Sequence, residues 1–574
     1  MSNGDATILE QRIEQALSLL HTEVLALHAR ERSIFARKPP RLLFVSPLAD
    51  GADQLAAEIA LRVGFELQAV LPFDRETYRG RLAEASRKRF DALLASASCE
   101  LQLPGEIDRE LDAFVMTGRA TTAHCNILLA VWDGLPPRGR GGTGEIVQLA
   151  ITHGMPVFHV PIDALAPLRL LWSAFDPAVL TTADEPTVER PADQTNIQAL
   201  LAGLLLPPND PDELKFLHGF ARERIRHVRT RIEYPLMLAA AGIARFGTKD
   251  IVDRHCAKQI RDEWRQYREG CGEACGISAP GALLEDAYSW ADRLATHFAQ
   301  TYRSGHIFNF LFGAVAVCLG LSAFMVPELR LEFAAAEIVI TIAIVSNAHF
   351  GSRDEWHRRW LDYRQLAERL RPMRSLKQLG IASPDPPGTA TNPVPRRWIE
   401  WYAIGVWRAL ACPAGSIDKA GAPRLAQAIA DYEIGPQVSY HQRNSRRIDR
   451  LDRRLGAIGM MLFLATLVVS IATLTGLALG AEWVDRYGEW FTLVSAGFPA
   501  LGTAVFGIRF QADFGGDALR SMATATTLGQ IEQELRKEVT LSRAADLTEQ
   551  AARVMLGDLD EWRLVNQQRD LSVG

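Results

Sequence analysis

One stretch limits what this chain can become more than any other. Gly456 to Ala481 (GAIGMMLFLATLVVSIATLTGLALGA) is 26 residues long and holds no Asp, Glu, Lys or Arg. A helix rising ~1.5 Å per residue would reach roughly 39 Å over that length, more than a ~30 Å hydrocarbon core. No core helix of a soluble protein needs such a length without one charge. A second uncharged run, Trp490 to Ile508, follows a short loop that carries Glu482, Asp485, Arg486 and Glu489. Two apolar runs with a short polar connection read as a transmembrane hairpin.

A second hairpin lies upstream. Gly305 to Pro327 is free of charged residues, whereas its partner, Phe333 to Ser352, is interrupted by Glu337. Only 15 uncharged residues follow Glu337. The partner is either a span with that carboxylate at the wet outer interface or a buried re-entrant helix. Four spans are expected, at about 306–326, 333–351, 456–480 and 490–508. They contain Asn309, Thr and Ser but no chain of inward carboxylates or lysines, which argues against a proton-coupled pump. Small residues such as Ala316 and Gly320 permit close helix packing.

The flanks set an orientation. Arg353, Arg358, Arg359, Arg364, Arg369, Arg371 and Arg374 follow the first hairpin. Arg443, Arg446, Arg447, Arg450, Arg453 and Arg454 precede the second, while the two hairpin loops hold only Arg330 and Arg486 as bases. Positive charge stays inside, so both termini and the middle segment are expected in the cytoplasm of an inner-membrane, multi-pass protein. The arginine run before the second hairpin includes Asp449 and Asp452 and reads as a solvated juxtamembrane helix.

The 574 residues leave room for a globular part beside the membrane part, and a net charge of −5 gives no case for nucleic acid. Seven cysteines show no CxxC pair, and Cys271 and Cys275 lack a partnering His/Cys pair, so reduced thiols are expected. The first apolar run is amphipathic and too polar for a signal peptide.

Residues 1–165 alternate helices with short apolar strands. Ala6 to Ser33 is helical by apolar spacing, and Arg41 to Ser46, Glu66 to Leu71, Cys99 to Leu103, Asn126 to Trp132 and Pro156 to Val160 read as strands. Helices are expected from Gly51 to Val63, Arg79 to Ser96, Ile107 to Thr122 and Thr143 to His153. The pattern implies a Rossmann-like α/β unit with a parallel sheet covered on both faces. The remainder divides into a linker with charged helices (166–285), a first membrane unit (286–380), a proline-rich linker and amphipathic segment (381–436) and a second membrane unit (437–574). Trp398 to Ala411 is either an interfacial aromatic anchor or a packed helix.

Ligands of such sheets bind beyond the strand C-termini. Two loops occupy that edge. One holds Ser46, Asp50, Gly51 and Asp53. The other runs from Asp133 and Gly134 through Arg138, Arg140, Gly141, Gly142, Thr143 and Gly144 to Glu145, with five glycines and two arginines ahead of a helix. Glycines let backbone N–H groups approach a ligand, a helix N-terminus offers free donors, and arginine adds charge for phosphate. An anionic ligand is the functional reading, and a turn whose glycines only solve backbone geometry is the bland one. His124, His153 and His159 lack metal-ligand spacing, so no metal is expected; Ser46 lacks a GxSxG context.

These loops resemble the SLOG superfamily, which includes LOG phosphoribohydrolases, DprA-type proteins and the cytosolic sensor of TRPM channels. SPLADGADQLAAE is similar to the family's first glycine-containing loop, and GRGGTGE to a shortened GGxGTxxE motif. Arg119 and Glu145 match an arginine and an acid used by LOG enzymes, which makes them the catalytic candidates that the resemblance implies. Relatives of this arrangement usually begin with a strand ending in Gly-His-Arg, whereas this chain opens MSNGDA and enters its first helix. WHRRWLDYRQLAERLRP and YHQRNSRRIDRLDRRLGAIG resemble SLATT domains, two-helix membrane modules found beside SLOG domains in prokaryotic conflict systems. The recurrence of the hairpins reads as a degenerate repeat. The resemblance implies a homo-oligomeric membrane effector in the lipid bilayer, driven to pore formation by a nucleotide-derived ligand (NAD-, ADP-ribose- or cyclic-nucleotide-like) and requiring no cofactor. The alternative it leaves is a membrane-tethered nucleotide hydrolase of LOG type.

Overall fold

The structure is a computed structural model that describes residues 3–163, 165–172, 189–225, 228–252, 254–278, 281–384 and 397–566. Most of the proline-rich stretch after Ser383, and Pro186 upstream, lie outside the described residues.

The chain opens with α1 (Asn3–Arg30), whose Leu9, Ile13, Leu17 and Leu20 form one buried stripe at helical spacing. Then come β1 (Leu43–Ser46), α2 (Ala52–Val63), β2 (Glu66–Leu71), α3 (Arg75–Arg81), α4 (Glu84–Ser96), β3 (Cys99–Gln102), α5 (Glu110–His124), β4 (Leu128–Trp132), α6 (Thr143–Thr152) and β5 (Val157–Pro161). The expected helix from Arg79 to Ser96 is two helices. It breaks at Leu82 and Ala83, where Asp50 Oδ2 accepts the Ala83 N–H at 2.9 Å and Asp74 caps α3 through the Thr77 N–H at 3.0 Å.

β1, β2 and β3 pair in parallel, as do β4 and β5. They belong to two four-stranded sheets rather than one. Phe44 of β1 and Leu129 and Val131 of β4 meet in one hydrophobic cluster beneath α1, so packing spans the break that hydrogen bonding does not. The second sheet continues antiparallel through β6 (Arg169–Leu171) and β7 (Glu189–Pro191), followed by α7 (Gln194–Leu205) against α1. The segment after residue 165 thus adds strands and a helix to the α/β unit.

α8 (Pro211–Arg222), α9 (Glu233–Ala240) and α10 (Arg254–Cys275) lead to α11 (Ala282–Met325), α12 (Arg330–Arg353), α13 (Trp356–Leu370), α14 (Met373–Leu379) and α15 (Trp398–Ala409). The short β8 (Gly415–Ser416) then returns to pair with Leu101 and Gln102 of β3. α16 (Gly421–Ile429) and a π turn over Ala430–Ile434 run into α17 (Gly435–Ala478), α18 (Glu482–Ala512), α19 (Phe514–Leu535) and α20 (Leu541–Asn566). One core joins Val70, Leu101 and Ala120 of the α/β unit to Tyr363, Trp398, Leu425, Leu528 and Ala551 of the helices. α15 belongs to that core: Trp398 is buried, Trp401 Nε1 donates to Leu205 O at 2.9 Å and Trp407 Nε1 to Ala123 O at 3.0 Å. Packing, not an interfacial anchor, accounts for its aromatics.

Among the described residues, three helical stretches are long and apolar enough to cross a membrane: Ala282–Met325, Gly421–Ala478 and Arg486–Leu535. α12, with Glu332 and Glu337 in its first half, is not among them. Its outer face is nevertheless apolar, with Ile338, Val339, Ile342 and Val345 exposed, and Glu337 lies against Gly320 of α11.

The two hairpins share a plan. Each opens with a 44-residue helix, α11 or α17, whose first half packs on the core or on soluble helices and whose second half exposes apolar side chains. After the second helix an acidic residue in the left-handed region turns the chain: Glu355 (φ 49°) before α13, Asp513 (φ 46°) before α19. Close contacts join the hairpins. A Cβ at Gly507 of α18 would fall 2.5 Å from Phe310 Cε1 of α11, and within the second hairpin one at Gly459 of α17 would fall 2.7 Å from Phe506 Cε2 of α18.

Candidate functional site

The first loop is shaped by its own hydrogen bonds. Ser46, buried at the end of β1, accepts the Leu48 N–H on Oγ at 3.1 Å, and Gln54 Nε2 donates to Leu48 O at 3.1 Å. Gly51 takes φ 90°, which only glycine adopts freely, and opens α2. Asp53 in that first turn has its carboxyl pushed up to about 6 by burial, with the Ala49 backbone N–H pulling it down in part. Asp50, as above, fastens the loop to the start of α4.

The second loop is held by its own charges. Asp133 Oδ1 accepts the Leu135 N–H at 3.1 Å and Oδ2 pairs with Arg138 at 3.0 Å. Gly134, at φ 81°, follows that aspartate in the turn. Arg140 pairs with Asp112 of α5 at 2.7 Å. Both arginines are largely exposed, so these pairs are weak and open to exchange for a ligand anion. Glu145 Oε2 accepts the Gly141 N–H at 2.5 Å, so the one acid of the GRGGTGE segment already occupies a loop amide. Gly141, at φ 75°, presses on α5: a Cβ there would fall 2.9 Å from Phe114 Cβ. Gly142 differs. It has ordinary φ −84°, it begins α6 without a side-chain cap, and a Cβ on it would meet nothing closer than Gly139 O at 3.8 Å. The uncapped start of α6 is therefore approachable at Gly142, the arrangement an anion uses, while Gly144 in the same turn is covered by the loop, where a Cβ would fall 3.2 Å from Pro137 Cα.

The two loops share α5 as a floor: Leu48 packs in one cluster with Phe114, on which Gly141 rests. Arg119, also on α5, does not join them. It pairs with Asp546 of α20 at 2.9 Å and lies 3.8 Å from Glu549. Arg119 and Glu145, the two catalytic candidates, are thus each engaged by a different part of the chain. Asp112, Asp546 and Glu549, which sequence reading did not single out, are the partners that hold the site's arginines. Asp112 lies within α5 and could have been found by its helical position; the two acids of α20 are more than 400 residues from Arg119 and left no local signal.

The histidines are structural. His124 bridges Gly380 O at 2.9 Å and Lys377 Nζ at 3.0 Å, His153 meets Leu149 O at 2.7 Å, and His159 meets Trp132 O at 3.0 Å. No protein-family model, curated protein or solved structure matches the chain.

Proposed function

We propose that the chain is a nucleotide-switched membrane effector of a prokaryotic anti-phage or conflict system. The α/β unit senses an NAD-, ADP-ribose- or cyclic-nucleotide-like ligand at the α6 N-terminus, and the two hairpins respond. In this reading α12 is a fourth span, both termini are cytoplasmic, and copies assemble in the inner membrane to open a pore. The observation that supports it is the Arg119–Asp546 pair. It links α5, the floor of both loops, to α20, which packs on the α19 that follows the second hairpin. β8 gives a second link, since the chain between the hairpins completes the first sheet. A ligand that moves the glycine loop against α5 would bias these contacts, which is what a sensor coupled to an effector requires. A tethered hydrolase needs no such links, and Arg119 faces the helices rather than the loop.

The test is dye leakage from vesicles holding the purified full chain, run beside chromatographic analysis of the added nucleotides. ADP-ribose, NAD and cyclic dinucleotides are the probes. One of them is expected to open the vesicles without being consumed. Gly142→Trp, at a position with room for a side chain, is expected to keep the melting temperature and abolish both binding and leakage. Steady cleavage of a probe with no leakage would replace this reading with the tethered hydrolase.

A further inference from the structure

A cavity with about 510 Å³ of empty space, part of it open to solvent, lies where both hairpins meet the soluble helices. Its walls come from α11, α13, α18 and α19, with Tyr234 from α9. Apolar Ile307 and Ile508 close the side toward the spans. The remaining lining is largely aromatic, with Arg303, two histidines, Gln511 and the carboxylate of Asp517.

Arg303 is the central group. Its guanidinium rests on the rings of Trp360 (4.8 Å) and Tyr234 (5.3 Å). Asp517 also lines the cavity; it pairs directly with Arg520, which reaches Asp513 at 3.2 Å as well, and feels the charge of Arg303. Arg303 itself makes no direct hydrogen bond or ion pair among the described residues, although its charge acts on Asp517 from nearby, so a ligand anion there would share Arg303 with that carboxylate. One turn on, His306 is only 6% exposed, and neither of its ring nitrogens has a partner among the described residues. An orphaned buried imidazole is costly unless something fills it. Tyr302 packs edge-on against His306 at 4.5 Å and stacks on His357 at 4.4 Å, which fixes both rings.

We propose that this cavity binds a phosphate group at the membrane surface. Arg303 offers the planar pair of donors that suits two phosphate oxygens, and His306 supplies a further N–H from a dry wall. The rings of Tyr302, Trp360 and Tyr234 line the cavity around Arg303 and would flank the carbon atoms next to the phosphate. A phospholipid headgroup and a small soluble phosphate ester present the same chemistry here. The site is independent of the glycine loops and of the nucleotide reading. A ligand in it would touch α11 and α13 of the first hairpin and α18 and α19 of the second, so its occupancy would favour one packing of the two.

The experiment titrates the full chain in a phosphate-free neutral detergent with glycerol phosphate and, separately, with a short-chain phosphatidylglycerol, read by calorimetry and Trp fluorescence. Arg303→Gln is expected to weaken binding at least tenfold, and His306→Phe, which keeps a ring in place, several-fold. Binding of both probes assigns the site to phosphate itself, and binding of the lipid alone assigns it to a headgroup. The probe-free melting temperature of each variant shows whether it folds, and His306→Phe alone decides the matter if Arg303→Gln does not. No binding of either probe by the wild type, or equal binding by a folded variant, would overturn the proposal.

Discussion

The two arginine-rich flanks are alike in sequence and opposite in structure. After the first hairpin, Arg358 meets Glu213 at 2.9 Å, Arg359 meets Glu223 at 3.1 Å, Arg364 meets Asp292 at 3.2 Å and Arg371 meets Glu263 at 2.9 Å. Arg374, 1% exposed, holds Glu433 at 2.5 Å and Glu263 at 3.0 Å. Before the second hairpin, Arg443, Arg446, Arg447 and Arg450 are exposed and have no carboxylate partner among the described residues. Only the end of that run is tied down: Asp452 grips Arg509 of α18 at 2.6 and 2.7 Å. A count of positive charges treats the two runs as one signal. One of them is in fact an internal ion-pair network that joins the exit of the first hairpin to the entry of the second, because Glu433 sits just ahead of α17. The other is a solvated face.

The largest effect should come from cutting that network. Arg374→Met leaves Glu433, fully buried, without its partner, and burial already pushes that carboxyl up. Removing one member of a buried pair costs on the order of 3–5 kcal/mol. The variant is expected to melt well below the wild type or to fail to accumulate, and Arg374→Met with Glu433→Leu to recover part of the loss. A single variant that melts like the wild type would reduce the first flank to the status of the second.

A smaller effect sharpens the comparison from inside the first flank. Lys377 is 3% exposed, lies 4.1 Å from the Trp407 ring centroid and bonds His124, with no carboxylate beside it among the described residues. Burial pulls its ammonium down to about 7, with Cys412 and Cys99 opposing. The folded-state value is below the unfolded one, so the unfolded chain binds more protons between about pH 7 and about pH 10. Stability therefore rises with pH across that window, by at most ~1.4 kcal/mol per pH unit, and the cost is full below pH 7. Lys377→Met should raise the melting temperature at pH 7 and flatten its dependence on pH from 7 to 9. An unchanged slope would show that the ammonium is not what titrates.

Much of this was legible. β1 to β5 stand out because a buried strand is a short apolar run between turn residues, and the limits of β2 and α2 agree with expectation to within a residue. Three of the four expected spans are legible because a long uncharged stretch has few other uses; α12, broken by Glu337, is not long and apolar enough to join them. What was hidden depends on distance along the chain. β8 has two residues and becomes a strand only through β3, more than 300 residues earlier. A family resemblance led Arg119 to be expected at the ligand site, yet its side chain pairs with Asp546. The glycine loop was visible as a loop, but not that Glu145 takes its Gly141 amide. Local periodicity reports which face of an element is apolar and carries no record of what covers it.

The smallest effect concerns the exposed run. Replacing Arg443, Arg446, Arg447 and Arg450 with Gln together removes four charges that pair with no described carboxylate. Exposed positions away from caps and cores shift stability by about 0.5 kcal/mol or less each. Gln and Arg have similar helix propensity, so α17 should keep its length. The melting temperature is therefore expected to stay within a few degrees of wild type. On the proposed topology these charges act on insertion, because basic residues beside a span are retained on the cytoplasmic side. Protease protection of a C-terminal reporter in inverted and right-side-out vesicles should show a minority of chains with the second hairpin reversed, while the first hairpin, whose flank is intact, keeps its orientation. A large drop in melting temperature with no change in orientation would mean that the second flank, like the first, holds the fold together, and the contrast between them would disappear.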